Sequence, residues 1–154
     1  MEGKTAKRSA NDGLVSLESN YPCKKFYRSR AHCNPLSHND TFEYPLQPDE
    51  MDWTPYFPID NKDISFVDVG CGFGGLTVAL SELYPTKKTL GMEIRPKVCE
   101  FVKLRCEALR REHVGKYNNV SAYRTNCMRL LPHVFKKEQL GKFNIVIIIV
   151  VYYS

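Results

Sequence analysis

From Ile64 onward the chain alternates short apolar runs with longer amphipathic ones. Ile64–Val69 is β-branched and aromatic, the composition of a buried strand. Apolar residues return at Leu76, Val78, Ala79, Leu80 and Leu83, close to the spacing of one helix face. Thr89–Glu93 reads as a second strand. Pro96–Glu112 reads as a helix, with Pro96 near its start and an apolar stripe of Val98, Phe101, Val102, Cys106 and Leu109. Val120–Arg124 is a third strand. Residues 125–128 then turn into a short helix that the pattern predicts to break near Pro132 and continue through Phe135. Phe143–Val151 is apolar almost throughout, as a central parallel strand should be. Alternating βα units predict a Rossmann-like, doubly wound parallel sheet, because right-handed crossovers place helices on both faces.

The segment before Ile64 has no such rhythm. Residues 1–23 are polar and aperiodic and predict a disordered leader. Residues 24–62 form a basic, aromatic and Pro-rich arm, and residues 63–154 the α/β unit. Five prolines between Asn34 and Pro58 exclude a long helix or central strand there. Trp53, Tyr56 and Phe57 are the expected anchors of the arm on the sheet. Lys24, Lys25, Arg28 and Arg30 interleave with Phe26 and Tyr27, which suits either phosphate and base contacts or an amphipathic segment packed on the domain.

The 154 residues fit one domain, and no apolar run reaches the 18 residues of a membrane span. The net charge of +5 is unevenly placed. Residues 1–31 hold seven Lys/Arg against three acids, residues 32–83 one against nine, and residues 84–142 fourteen against five. Basic blocks of this kind attract a polyanion, although solvated helix faces have the same composition. None of the six cysteines forms a C-x-x-C pair, and no histidine stands beside them at zinc-ligand spacing. Ordinary reduced thiols and no metal site are expected.

The chemistry concentrates between the first strand and its helix, where Gly70, Gly72, Gly74 and Gly75 follow Asp68. Glycines here let the backbone approach a ligand and adopt positive φ. The spacing Gly70-x-Gly72-x-x-Gly75 fits a dinucleotide fingerprint. Asp68-x-Gly70-x-Gly72-x-Gly74 fits the loop of S-adenosylmethionine-dependent methyltransferases. Asp68 favours the second, since an acid suits a cationic methionine end and is unhelpful beneath a pyrophosphate. Glu93, about 20 residues on, ends the next strand where an acid takes ribose hydroxyls in either class.

Beyond these patterns, residues 24–142 resemble the eukaryotic tRNA (guanine-N7-)-methyltransferase family. The resemblance is carried by Lys-Phe-Tyr-Arg-Ser-Arg-Ala-His-Cys-Asn-Pro (25–35), Tyr44-Pro45, Glu50-Met51-Asp52-Trp53 and the loop from Phe66 to Leu76. Gly-Met-Glu-Ile-Arg (91–95) and Arg-Thr-Asn-Cys-Met (124–128) complete it. It implies S-adenosylmethionine as cofactor, tRNA as substrate, a WD-repeat partner subunit and a nuclear location. By position it implies Gly70 near the methionine portion and Glu93 on both ribose hydroxyls. Ile94 would lie against the adenine, Arg95 would brace the site, and Asn126 with the Cys127 backbone would hold the adenine ring. A small residue such as alanine is usual in the family at the Cys127 position. The family's Pro-Asp-Pro segment, whose aspartate holds the target guanine, has no counterpart in 143–154, and no acid follows Glu138. The expectation is therefore a C-terminally shortened form with about four strands, no catalytic acid, weak cofactor binding and poor or no methylation. A non-catalytic product that keeps cofactor, RNA or partner binding is the alternative. A further expectation is an aggregation-prone apolar edge at Ile145–Val151.

Overall fold

The computed structural model describes residues 21–30, 34–36, 41–58, 64–137, 139 and 144–146. The predicted leader, apart from Tyr21, Pro22 and Cys23, and the predicted strand beyond Val146 lie outside these. Four parallel strands form one sheet: β1 (Ile64–Val69), β2 (Lys88–Glu93), β3 (Val120–Arg124) and β4 (Asn144–Val146), in the order β3-β2-β1-β4. Three helices connect them: α1 (Gly75–Leu83), α2 (Pro96–Glu112) and α3 (Cys127–Val134). The chain steps outward from β1 to β3, then returns to the far side of β1. This reversal makes the sheet doubly wound and puts a topological switch point between β1 and β4.

Strand alternation divides the side chains between two cores. On one face Val67, Leu90, Met92 and Tyr123 pack with Val134 and Phe135 at the end of α3. On the other, Val120 and Ala122 pack with Cys99, Phe101, Val102 and Cys106 of α2. The predicted stripe of α2 is buried throughout. Pro96 occupies its first turn, where a missing N–H goes unused.

α1 departs from its apolar reading. Thr77 and Ser81 are turned inward, while Leu83 is 72% exposed. Hydrogen bonding accounts for the inversion: Thr77 Oγ1 donates to Asp68 Oδ2 at 2.6 Å and Ser81 Oγ to the Val78 carbonyl at 2.7 Å. Gly91 makes the close approach possible, since a Cβ there would sit 2.8 Å from Cys71 Sγ and 3.0 Å from Thr77 Oγ1. α3 also departs from expectation. It runs through Pro132 without a break and ends at Val134, with Phe135 already extended. Pro132 is exposed and falls in the second turn of an eight-residue helix.

The arm covers the α3 face of the sheet. Phe57 is buried, Trp53 stacks on Phe135 with ring centroids 5.7 Å apart, and Tyr56 meets Tyr123 edge-on at 5.4 Å. These are the three anchors expected from the sequence. Lys24–Tyr27 forms a single 3₁₀ turn on the opposite face, where Tyr27 is buried against Phe101 at 5.7 Å. Tyr27 is thus a packing residue, while Lys24, Lys25, Arg28 and Arg30 stay exposed.

Candidate functional site

The site is built where β1, β2 and β3 end together, in registers that pair Val69 with Met92 and Glu93 with Arg124. After Val69 the chain folds back onto β2. Gly70 and Cys71 both donate their N–H groups to the Met92 carbonyl, at 2.8 and 3.0 Å. Gly70, Gly72 and Gly74 have φ of 75°, 55° and 72°. Side chains at these φ values are strained, which explains three glycines in alternate positions. At Gly74 a Cβ would also strike Val102 Cγ1 at 2.8 Å. Arg105, one helical turn further along α2, donates to the Phe73 carbonyl at 3.1 Å. Helix α2 therefore fixes the glycine turn from below, a role that no local pattern around Arg105 reveals.

Glu93 is 3% exposed and its two oxygens are fully engaged. Oε1 accepts from the backbone N–H groups of Ile94 (2.9 Å) and Arg95 (3.0 Å) and from Arg95 Nε (3.0 Å). Oε2 accepts from the Gly72 N–H at 3.0 Å and from Arg95 Nη2 at 2.9 Å. The carboxylate thus ties the end of β2 to the glycine turn 21 residues earlier. Ile94 and Arg95 are half-buried beside it.

Asp68 is buried at the end of β1, its carboxylate turned toward α1 and held by Thr77. Burial raises its pKa above the ordinary carboxylate value, the bonds from Thr77 oppose that rise, and the nearby Glu93 charge adds to it. In this structure Asp68 anchors the first turn of α1 to β1.

At the end of β3, Asn126 precedes α3 and is 1% exposed. Its Nδ2 donates to the Pro35 carbonyl of the arm at 2.7 Å, while Oδ1 has no hydrogen-bond partner among the described residues. The Thr125 hydroxyl is likewise buried and unpartnered. Buried polar atoms are rarely left unpaired, so two adjacent ones mark a place where a polar ligand would complete the set. Cys127 lies half-buried with Sγ 3.5 Å from Met92 Sδ, and burial pushes its thiol up to about 12. A thiol so protonated is a packing group and not a nucleophile.

A cavity of about 720 Å³ lies elsewhere. It opens at the amino ends of the strands and is lined by residues including Ser81, Glu82, Lys88, Tyr117 and Asn119. It is at the wrong end of the sheet for the site, since ligands of open α/β sheets bind at the carboxyl ends of the strands. Among the described residues no group of three or more His, Cys, Asp or Glu could hold a metal ion, and no helix is long and apolar enough to cross a membrane. Cys23, Cys71, Cys99, Cys106 and Cys127 are free thiols.

A glycine turn after the first strand, a buried acid closing the second and a polar turn after the third define a Rossmann-like α/β protein. The sequence profile of a family described as putative methyltransferase matches residues 62–147. The chain belongs to this methyltransferase family. It is 48% identical over 122 residues to a tRNA (guanine-N(7)-)-methyltransferase of Anopheles gambiae, covering 79% of this chain and 52% of the relative. A protein of the same name from Aedes aegypti is 43% identical over 143 residues, 92% of this chain and 58% of its own. One from Bombyx mori is 49% identical over 124 residues, covering 79% and 52%. The chain thus spans about half the length of the curated relatives it matches.

Proposed function

We propose that this chain carries the cofactor-binding part of a tRNA (guanine-N7-)-methyltransferase and takes S-adenosylmethionine at the glycine turn. The observation that carries the reading is the joining of Glu93 to the Gly72 backbone, with the unpaired Oδ1 of buried Asn126 at the neighbouring strand end. Three positive-φ glycines form a cradle that side chains would fill, Glu93 offers acceptors for a sugar, and Asn126 offers one for an amino-bearing ring. These groups fit an adenine nucleoside. Gly70, Gly72, Glu93, Ile94, Asn126 and the Cys127 backbone would hold it, beside Arg95 on the Glu93 carboxylate. Asp68 contributes negative charge beneath the turn.

S-adenosylmethionine, when bound, supplies an electrophilic methyl group on a sulfonium. Guanine N7 carries a free lone pair at neutral pH, so the reaction needs positioning and charge stabilisation more than a general base. Exposed Lys24, Lys25, Arg28, Arg30 and Lys97 would hold tRNA phosphates on the side of the sheet that α2 covers. A WD-repeat subunit and a nuclear location belong to the same proposal.

Calorimetry with S-adenosylmethionine and with NAD tests the cofactor, and transfer of a labelled methyl group to tRNA tests the reaction. Heat with the first ligand and label at guanine N7 are the expected results. Uptake of NAD alone would refute the cofactor assignment. Uptake of S-adenosylmethionine without label would leave a non-catalytic binding product. Binding of tRNA that is indifferent to salt would refute the phosphate contacts.

A further inference from the structure

The guanidinium of Arg95 meets Glu93 in the way a sugar edge would. Five N–H groups converge on the Glu93 carboxylate, which offers about four lone-pair sites. Three of the five are main-chain groups of Gly72, Ile94 and Arg95, fixed by the turns that carry them. The other two, Nε and Nη2 of Arg95, come from a long side chain that is 19% exposed, against 3% for Glu93. The carboxylate therefore has no acceptor to spare for two hydroxyls while the guanidinium is in place. The side chain also lies over the turn itself: the nearest heavy atom to a Cβ built on Gly72 is Arg95 Nη2, at 3.9 Å. Arg95 thus occupies both the acceptors of Glu93 and the open side of the glycine that a ligand would approach.

We infer that Arg95 is an internal stand-in for the ribose, and that a nucleoside enters by exchanging its two vicinal hydroxyls for the Nε and Nη2 hydrogen bonds of Arg95 to Glu93. This inference rests on the cofactor reading above and assigns Arg95 a gating part in place of a brace. The exchange has a physical logic. A carboxylate buried to this degree needs compensation, and the guanidinium supplies it until a ligand arrives. Only the side-chain pair of donors can be given up, because withdrawing the main-chain donors would unfold the turns. Two hydroxyls restore both bonds. A ligand without vicinal hydroxyls does not, and cannot displace the arginine without leaving the carboxylate underpaired.

The test uses the whole chain and S-adenosylhomocysteine as the probe. Arg95→Gln should bind it about two- to fivefold more tightly than the wild type, the worth of a partly exposed ion pair. Raising NaCl should strengthen binding to the wild type, because salt weakens the competing pair, and should leave Arg95→Gln unchanged. In the wild type, NMR should show the Arg95 Nε–H signal shifting on saturation with S-adenosylhomocysteine or adenosine, and staying in place with 2′,3′-dideoxyadenosine. The NMR titration needs no variant and decides alone if Arg95→Gln fails to fold. Weaker or unchanged binding by Arg95→Gln, or an Nε–H signal indifferent to saturating ligand, overturns the inference and leaves the cofactor reading standing. Absence of heat with S-adenosylhomocysteine in both proteins overturns the cofactor reading, and this inference with it.

Discussion

The turns that follow β2 and β3 lie side by side, Glu93 of one paired in register with Arg124 of the other, yet they are finished differently. At the first, every acceptor is taken by the protein's own donors. At the second, Asn126 and Thr125 hold buried polar atoms without partners among the described residues. Both are strand ends of one Rossmann-like sheet, and sequence alone gives them equal standing as ligand contacts. The contrast separates two tasks. Glu93 holds the fold together as well as offering a site, whereas the side-chain Oδ1 of Asn126 accepts no hydrogen bond among the described residues.

Substitutions should split along that line. Glu93→Ala removes the carboxylate that Arg95 grips and takes away the acceptor of the Gly72 and Ile94 N–H groups. A destabilisation of about 3 kcal/mol is expected in urea denaturation, together with loss of ligand binding. A loss below about 1 kcal/mol would erase the distinction. Asn126→Leu removes an unpaired carbonyl and one hydrogen bond to Pro35, opposing effects that should leave stability within about 1 kcal/mol of the wild type. Its affinity for S-adenosylhomocysteine should still fall at least about tenfold, the worth of one hydrogen-bonding partner in a buried site. Equal affinity would remove Asn126 from the site.

Asp68→Asn gives the smallest effect, and its sign is the informative part. The carboxyl of Asp68 has a folded pKa above its ordinary 3.8 because it is buried. The folded wild type therefore carries a penalty above that folded value, which disappears once pH falls below the unfolded one. The wild type should gain stability relative to Asp68→Asn as pH is lowered through the carboxylate range. A constant difference across that range would show that burial of Asp68 does not matter energetically.

Much of this architecture is legible from spacing. β1, α2 and β3 begin and end where periodicity and Pro96 place them, and β2 starts one residue early at Lys88. Trp53, Tyr56 and Phe57 are legible as anchors because aromatic residues in a Pro-rich arm have few other ways to be buried. What periodicity does not carry is the contact between distant side chain and backbone. Arg105 on Phe73 spans 32 residues, and Asn119 Nδ2 reaches the carbonyls of Ser81, Tyr84 and Lys87 across 32 to 38. The inward face of α1 is missed for the same reason: Thr77 is polar, and its partner Asp68 lies on another element. Pro132 is misread because a proline that the sequence marks as a break lies here on the exposed side of a short helix. At the site, position 93 is legible as an acid at a strand end, but its engagement by the residue two places on follows from side-chain geometry alone.

Arg110 has a consequence for how this protein meets others. Its guanidinium holds the carbonyls of Tyr117, Val120 and Tyr56 at once, joining α2, the outermost strand of the sheet and the arm. An unsatisfied carbonyl on a border strand is an invitation to another chain to add itself by backbone pairing. With that oxygen claimed from within and the arm fastened alongside, the Val120 end of the β3 border is a poorer template for such growth.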